Sequence, residues 1–192
     1  MSTETPHRIV RRVLAEGDFV VNHSIVVGAS GPAAVRFDLW RNSEGGTVEH
    51  WSDEEAWVPA PVNGHSQIDG GTAVDHSADP EETRRIATET VQNILVEGRT
   101  AALGDYLAGE DYVQHNPRFA DGVSGLVAAL TALAEQGVTM SYDGIRQVVV
   151  EGDFAYLRSE GSFAGTPFVF HDLFRVAGGK CVEHWDVMVP RS

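Results

Sequence analysis

The chain has 192 residues, 42% hydrophobic and 22% charged, which describes a globular protein with a core of ordinary size. Its formal net charge of −14 argues against nucleic acid and anionic membrane surfaces as partners. No apolar run approaches the length of a membrane span.

The start, Met1 to Pro6, has neither a basic n-region nor an apolar stretch, so no secretory leader is expected. Cys181 is the only cysteine and has no internal disulfide partner, which fits a reducing cytoplasm. The first recognisable pattern is a set of alternating strands. Val10 to Phe19, with a Glu16-Gly17-Asp18 turn, parallels Ile145 to Phe154, with Glu151-Gly152-Asp153. Val35 to Arg41 parallels Val169 to Arg175, and Glu49-His50-Trp51 parallels Glu183-His184-Trp185. The offset stays at 134 to 135 residues, which suggests a duplicated antiparallel unit of three or four strands. The first copy has no helices of its own and carries Ser52 where the second carries Asp186.

From Ala56 to about Ala78 the periodicity dissolves among Pro59, Pro61, Gly64, Gly70 and Gly71. This reads as a linker or long surface loop, with His65 and His76 solvated. Asp79-Pro80-Glu81-Glu82 then opens a helix, with an N-cap aspartate, a first-turn proline and a capping-box glutamate. Ile86, Val91, Ile94 and Leu95 form its apolar stripe, and Gly98 ends it. A shorter helix is expected over Thr100 to Leu107. A third is expected over Val123 to Glu135, its stripe being Leu126, Val127, Leu130 and Leu133.

The chain closes with strands from Thr139 onward, an α+β order of elements. Phe168, Phe170, Asp172, Phe174 and Val176 share one strand face; after a Gly178-Gly179 turn, Val182, His184, Asp186 and Met188 share the next. Two carboxylates and an imidazole are thereby set among large apolar side chains. Burial without a partner raises a carboxyl's pKa, so chemistry is expected here.

A long amphipathic helix, a short helix, Tyr112-Val113-Gln114-His115-Asn116-Pro117, Asp121-Gly122, a third helix and strands ending in Glu183-His184-Trp185-Asp186 together resemble the SnoaL-like proteins. These belong to the nuclear-transport-factor-two-like superfamily. The likeness covers about Pro80 to Pro190, and the first copy resembles only the sheet half. It implies a cone-shaped α+β fold, with a curved antiparallel sheet wrapped around helices and a pocket in the cone. The expected organisation is a partial SnoaL-like β unit at 1–57, a linker at 58–79 and a SnoaL-like domain at 80–192. SnoaL-like cyclases close a ring by intramolecular aldol condensation without cofactor or metal. Their acid/base aspartate matches Asp186, and a histidine of the cyclase is Asp172 here. The expected catalytic residues are Asp186, His115 and Asp172, with Tyr112, Asn116, His184 and Phe170 binding substrate. No cofactor and no metal are expected. His115, before Asn116-Pro117, is read as polarising a substrate carbonyl or as bonded to backbone; Asp186 is read as a base or as a strand-end carboxylate. Two functions remain open: a cofactor-free enzyme of small hydrophobic carbonyl compounds, or a ligand-binding or dimerisation domain. The expected assembly is a homodimer or an intrachain pseudo-dimer, since relatives of this fold dimerise through the outer faces of their sheets.

Overall fold

The structure, a computed structural model, describes residues 5–191. The leader-free reading of Met1 to Glu4 lies outside them. The architecture is α+β, as the order of elements and the resemblance imply. A first sheet holds β1 (His7–Glu16), β2 (Phe19–Gly28), β3 (Gly31–Ser43) and β4 (Gly46–Ala56), antiparallel and in sequence order. The second runs β5-β9-β8-β7-β6, where β5 is Val113–Gln114, β6 Met140–Glu151, β7 Phe154–Phe163, β8 Thr166–Ala177 and β9 Lys180–Pro190. The two-residue β5 pairs parallel to β9; the other neighbours are antiparallel.

The two meanders share a register. Leu39 pairs with Trp51 as Leu173 pairs with Trp185, and Asp38 with Ser52 as Asp172 with Asp186. The Glu-Gly-Asp turns sit at matching corners, where Gly17 and Gly152 have φ of +54° and +55°. Both positions need the left-handed conformation that glycine adopts without steric cost.

Alternation along the strands sends each sheet's residues to two places. Phe37, Leu39, Val21 and Leu14 of the first sheet pack against Tyr156, Leu173, Trp185 and Val187 of the second, making one core between the sheets. Burying each such large side chain contributes roughly 1.5–3 kcal/mol. The opposite face of the second sheet packs against helices through Phe170, Phe174, Leu157 and Val150. Helix α1 (Pro80–Thr90) begins at N-cap Asp79, whose carboxylate accepts from the Glu81 N–H. It continues as a π-helical segment, Val91–Val96, a wider coil than the regular helix the sequence predicts. Helix α2 (Leu103–Tyr106) is a single turn, and α3 (Gly122–Glu135) follows β5 in the chain. On α3, Leu126 and Leu130 face inward but Val127 is exposed, so the stripe is narrower than the periodicity suggests.

Residues 58–79 form neither helix nor strand and lie mostly at the surface, but the segment is tied down at its centre. Gln67 and Ile68 are buried, and the segment straps the two sheets together. The Arg12 guanidinium donates to the carbonyls of Ile68, Asp69 and Gly71 and stacks 3.9 Å above the Trp185 ring. Burial pushes Arg12 down to about 10, which leaves it charged at neutral pH. Trp185 Nε1 also donates to the Asp69 carbonyl, at 2.8 Å. Backbone carbonyls here do what a strand partner would do elsewhere, which hides the segment from any period-based reading. His65 is likewise not free in solvent: its Nε2 lies 2.8 Å from Asp121 Oδ2.

Candidate active site

Asp172 and Asp186 are direct partners across β8 and β9, and both point to the helix side. His184, two residues before Asp186, shares that face. With Tyr112, Gln114 and Tyr142 they supply the polar lining of a cavity of about 50 Å³, otherwise walled by side chains such as Ile94, Leu103, Leu130 and Phe174. The π-helical segment contributes Ile94 and Leu95 to this wall.

The hydrogen bonds fix much of the protonation. The Gln114 side-chain oxygen accepts from the Asn116 backbone N–H at 2.8 Å and faces His184 Nδ1 at 3.0 Å, so Nδ1 carries a proton and donates it. His184 Nε2 lies 3.1 Å from Asp172 Oδ1. One proton is shared in that contact, on the imidazole or on the carboxyl. Phe174 stacks on the His184 ring at 4.6 Å and holds its plane.

Asp186 differs from Asp172. Its Oδ2 accepts from the Asn116 side-chain amide at 2.7 Å, while Oδ1 is buried with no partner. No arginine reaches it among the described residues. Burial pushes its pKa up to about 6; His184 opposes this and Glu55 adds to it. Asp172 Oδ2 is also buried and unpartnered. Two tyrosine hydroxyls, of Tyr112 and Tyr142, face the same space, and burial holds both pKa values well above the usual phenol range. They remain neutral donors at any working pH.

Of the remaining expected site residues, one joins the cluster and two are placed apart. Asn116 holds Asp186 as described. Phe170 is buried behind Tyr142, their rings 4.1 Å apart, and does not line the cavity. His115 does not meet Asp186. It lies in an extended segment in which Gln114 and Asn116 turn toward the cavity side, so the residue between them turns away. Its Nδ1 donates to the Ser66 carbonyl at 2.8 Å, and its Nε2 lies 3.0 Å from Glu183 Oε1. Its ring stacks on Trp185 at 4.8 Å, between the sheets. Burial pushes Glu183 up, but hydrogen bonds from His115 and Arg175 outweigh it and hold that carboxyl below its usual range. His115 therefore belongs to the strap network, the hydrogen-bonded alternative of its sequence reading. Gln114 and Tyr142 are the residues that sequence reasoning missed. Gln114 shares strand parity with Tyr112, and Tyr142 lies on an alternating strand; those were the available signals.

The first sheet offers an internal comparison. Asp38 faces His50 and Ser52 in the register of Asp172, His184 and Asp186, with His50 Nε2 3.0 Å from Asp38 Oδ1. There the carboxylate also accepts from Arg8, Arg36 and Ser52, at 2.6, 3.1 and 2.7 Å. Burial pushes Asp38 up, but these bonds outweigh it and hold it below the usual carboxylate range. Among the described residues no helix covers that face. The aspartate–histidine pair thus occurs with and without a cavity; the unpaired carboxylate oxygens occur only with one.

Asp172, His184 and Asp186 place one donor atom each within 4.8 Å of one another, a spacing that a cation would accept. Both His184 nitrogens, however, are already engaged with Gln114 and Asp172, so the imidazole has no lone pair directed into the cavity. The set fits proton transfer better than ligation.

Fold and site together define a small α+β domain with two aspartates and a histidine buried between helices and a meander. Residues 87–184, just over half of the chain, match the SnoaL-like domain, and the chain belongs to that family. No curated protein sequence matches it. Among solved structures, TsrD from Streptomyces laurentii is 25% identical, with a TM-score of 0.46, over 57% of this chain and 90% of that one. A candidate ketosteroid isomerase from Kribbella flavida DSM 17836 is 16% identical, with a TM-score of 0.47, over 60% and 84%. A candidate polyketide cyclase from Acidithiobacillus ferrooxidans is 15% identical, with a TM-score of 0.44, over 56% and 87%.

Proposed function

We propose that the protein is a cofactor-free acid/base enzyme that isomerises or cyclises a hydrophobic carbonyl compound, with Asp186 as the proton acceptor and donor. The observation that carries this reading is Asp186 itself, a carboxylate buried in an apolar cavity with one oxygen unpartnered and its pKa near 6. A base is most effective when its pKa lies near working pH. Asp186 Oδ1 takes a proton from the carbon next to the substrate carbonyl, and the electron pair moves onto the carbonyl oxygen. A neutral tyrosine hydroxyl, of Tyr112 or Tyr142, donates to that oxygen as negative charge develops. In isomerisation of a substrate with a β,γ double bond, the electron pair spreads as a dienolate and the protonated Asp186 returns the proton at the γ carbon. In cyclisation the enolate carbon attacks a second carbonyl of the same molecule, and the resulting alkoxide takes the proton. Asn116 fixes the carboxylate's orientation, while the Asp172–His184 pair holds a further proton beside it.

The test is deuterium uptake at the α carbon of simple ketones in D2O, followed by NMR. Exchange is expected to rise with pH through about 6, as Asp186 ionises, and then to level off. An absence of exchange above background across the ketones would favour the ligand-binding alternative. Exchange is also expected to survive exhaustive dialysis against a chelator. Loss of exchange that a divalent ion restores would overturn the cofactor-free reading.

A further inference from the structure

A second cavity, of about 520 Å³, opens beside the first. Phe119 and Met188 line both, so these two side chains are the partition between them. Asn116, which holds Asp186, also borders the second space. One wall comes from α3, through Ala129 and Leu133; the facing wall is the end of β4, Glu54 to Ala56, and so belongs to the N-terminal sheet. Glu55 is locked in place there. Its Oε1 accepts from Arg118 at 2.6 Å and its Oε2 from the Met188 backbone N–H at 3.3 Å.

The two volumes do not suit the same part of a ligand. A cavity of about 150 Å³ is what accommodates a benzene ring, so the inner space of about 50 Å³ holds only a carbonyl and its nearest carbons. The outer space falls within the roughly 300–1,000 Å³ of ordinary ligand sites. Its charges are already matched: Arg118 is paired to Glu55, and Glu54 to Arg36. No free cation faces it among the described residues, and the chain is strongly acidic, so an anionic group has no partner there.

We infer that the outer cavity is a vestibule for the distal part of an elongated substrate, and that the N-terminal sheet is in the fold partly to wall it. The substrate is then a carbonyl compound whose small reactive end passes Phe119 and Met188 to reach Asp186. Its uncharged, largely apolar remainder stays between β4 and α3. The reactive-end half of this inference rests on the acid/base reading; the vestibule itself does not.

Calorimetric titration with methyl ketones from 2-butanone to 2-decanone tests it, because binding is read without turnover. Each methylene that enters the vestibule is expected to tighten Kd by up to about fourfold, until the space is full. Ala56→Trp narrows the β4 wall and Ala129→Trp the α3 wall, and each is expected to flatten that dependence on chain length. Ala56→Phe is a milder obstruction from the same wall, used if the tryptophan variant does not fold. A flat length dependence in the native protein overturns the vestibule. A dependence flattened by Ala129→Trp but untouched by both Ala56 variants overturns the role of the N-terminal sheet. Length-dependent binding without α-proton exchange would remove the acid/base reading alone and leave the vestibule standing.

Discussion

Asp186→Asn is expected to abolish α-proton exchange while leaving the melting temperature at pH 7–8 unchanged or slightly raised. The amide cannot accept the proton, so the loss in rate should be at least a hundredfold, the lower end of what a positioned base contributes. The stability side follows from linkage. In the fold the Asp186 pKa is raised from 3.8 to about 6, so the folded state favours the neutral acid. Its contribution to stability is therefore fully present below about pH 3.8 and is lost as pH rises through about 6. At 1.36 kcal/mol per unit, ionised Asp186 costs the fold roughly 3 kcal/mol at neutral pH, as a ceiling. Asparagine carries no charge and escapes that cost. Its oxygen can still accept from Asn116, and its amino group meets a region where Asp172 Oδ2 has no donor. Paired thermal melts at pH 5 and pH 8 supply the check: the variant should gain relative to native protein as pH rises. A large loss of stability with exchange retained would assign Asp186 to structure instead.

The second large effect is expected from Gly70→Ala, outside the cavity lining. Gly70 has φ of +86°, and a Cβ there would lie 1.9 Å from Glu183 Oε1 and 2.9 Å from His115 Nε2. Neither partner can give way cheaply. Glu183 is held by Arg175 at 2.9 Å, and His115 by Ser66 and the Trp185 ring. The substitution adds a left-handed backbone penalty of about 1–2 kcal/mol and disrupts a buried ion pair, whose breaking costs about 3–5 kcal/mol. For a chain of this length the melting temperature should fall on the order of 10 °C. Gly64→Ala is the control: its φ of +78° is similar, but nothing lies within 4 Å of the added carbon. It should lose only the backbone term. Equal losses in the two variants would show that the strap's packing against Glu183 and His115 contributes nothing.

The order of elements, the helix start at Asp79 and the hairpin that carries Asp172 and Asp186 were legible from residues alone. Each depends on local chemistry: an N-cap carboxylate, alternation along a strand, a two-glycine turn that joins β8 to β9; the one-residue register shift after Val176, which sets Asp172 opposite Asp186 instead of Trp185, left no such mark. The shared register of the two meanders was legible for the same reason, since a period of two survives without knowledge of what covers the sheet. The sequence alone also placed His184 and Asp186 on one strand face and Asp172 among apolar residues on the neighbouring strand, because same-strand parity suffices for that.

Only the tertiary structure decided what those groups touch. Nothing local shows that Asp186 is left with a free oxygen while Asp38 is saturated by Arg8, Arg36, His50 and Ser52, because most of those donors come from other strands. His115 misled for a related reason. A histidine before Asn-Pro is held extended wherever it stands, but which side of the sheet it faces depends on the two-residue pairing of β5 with β9. The strap was the least legible part. Residues 58–79 have no period because their polar backbone is satisfied by Arg12, His115, Trp185 and Glu183, which are distant in sequence. Hydrogen bonds made across such separations leave no repeating mark on the chain that makes them.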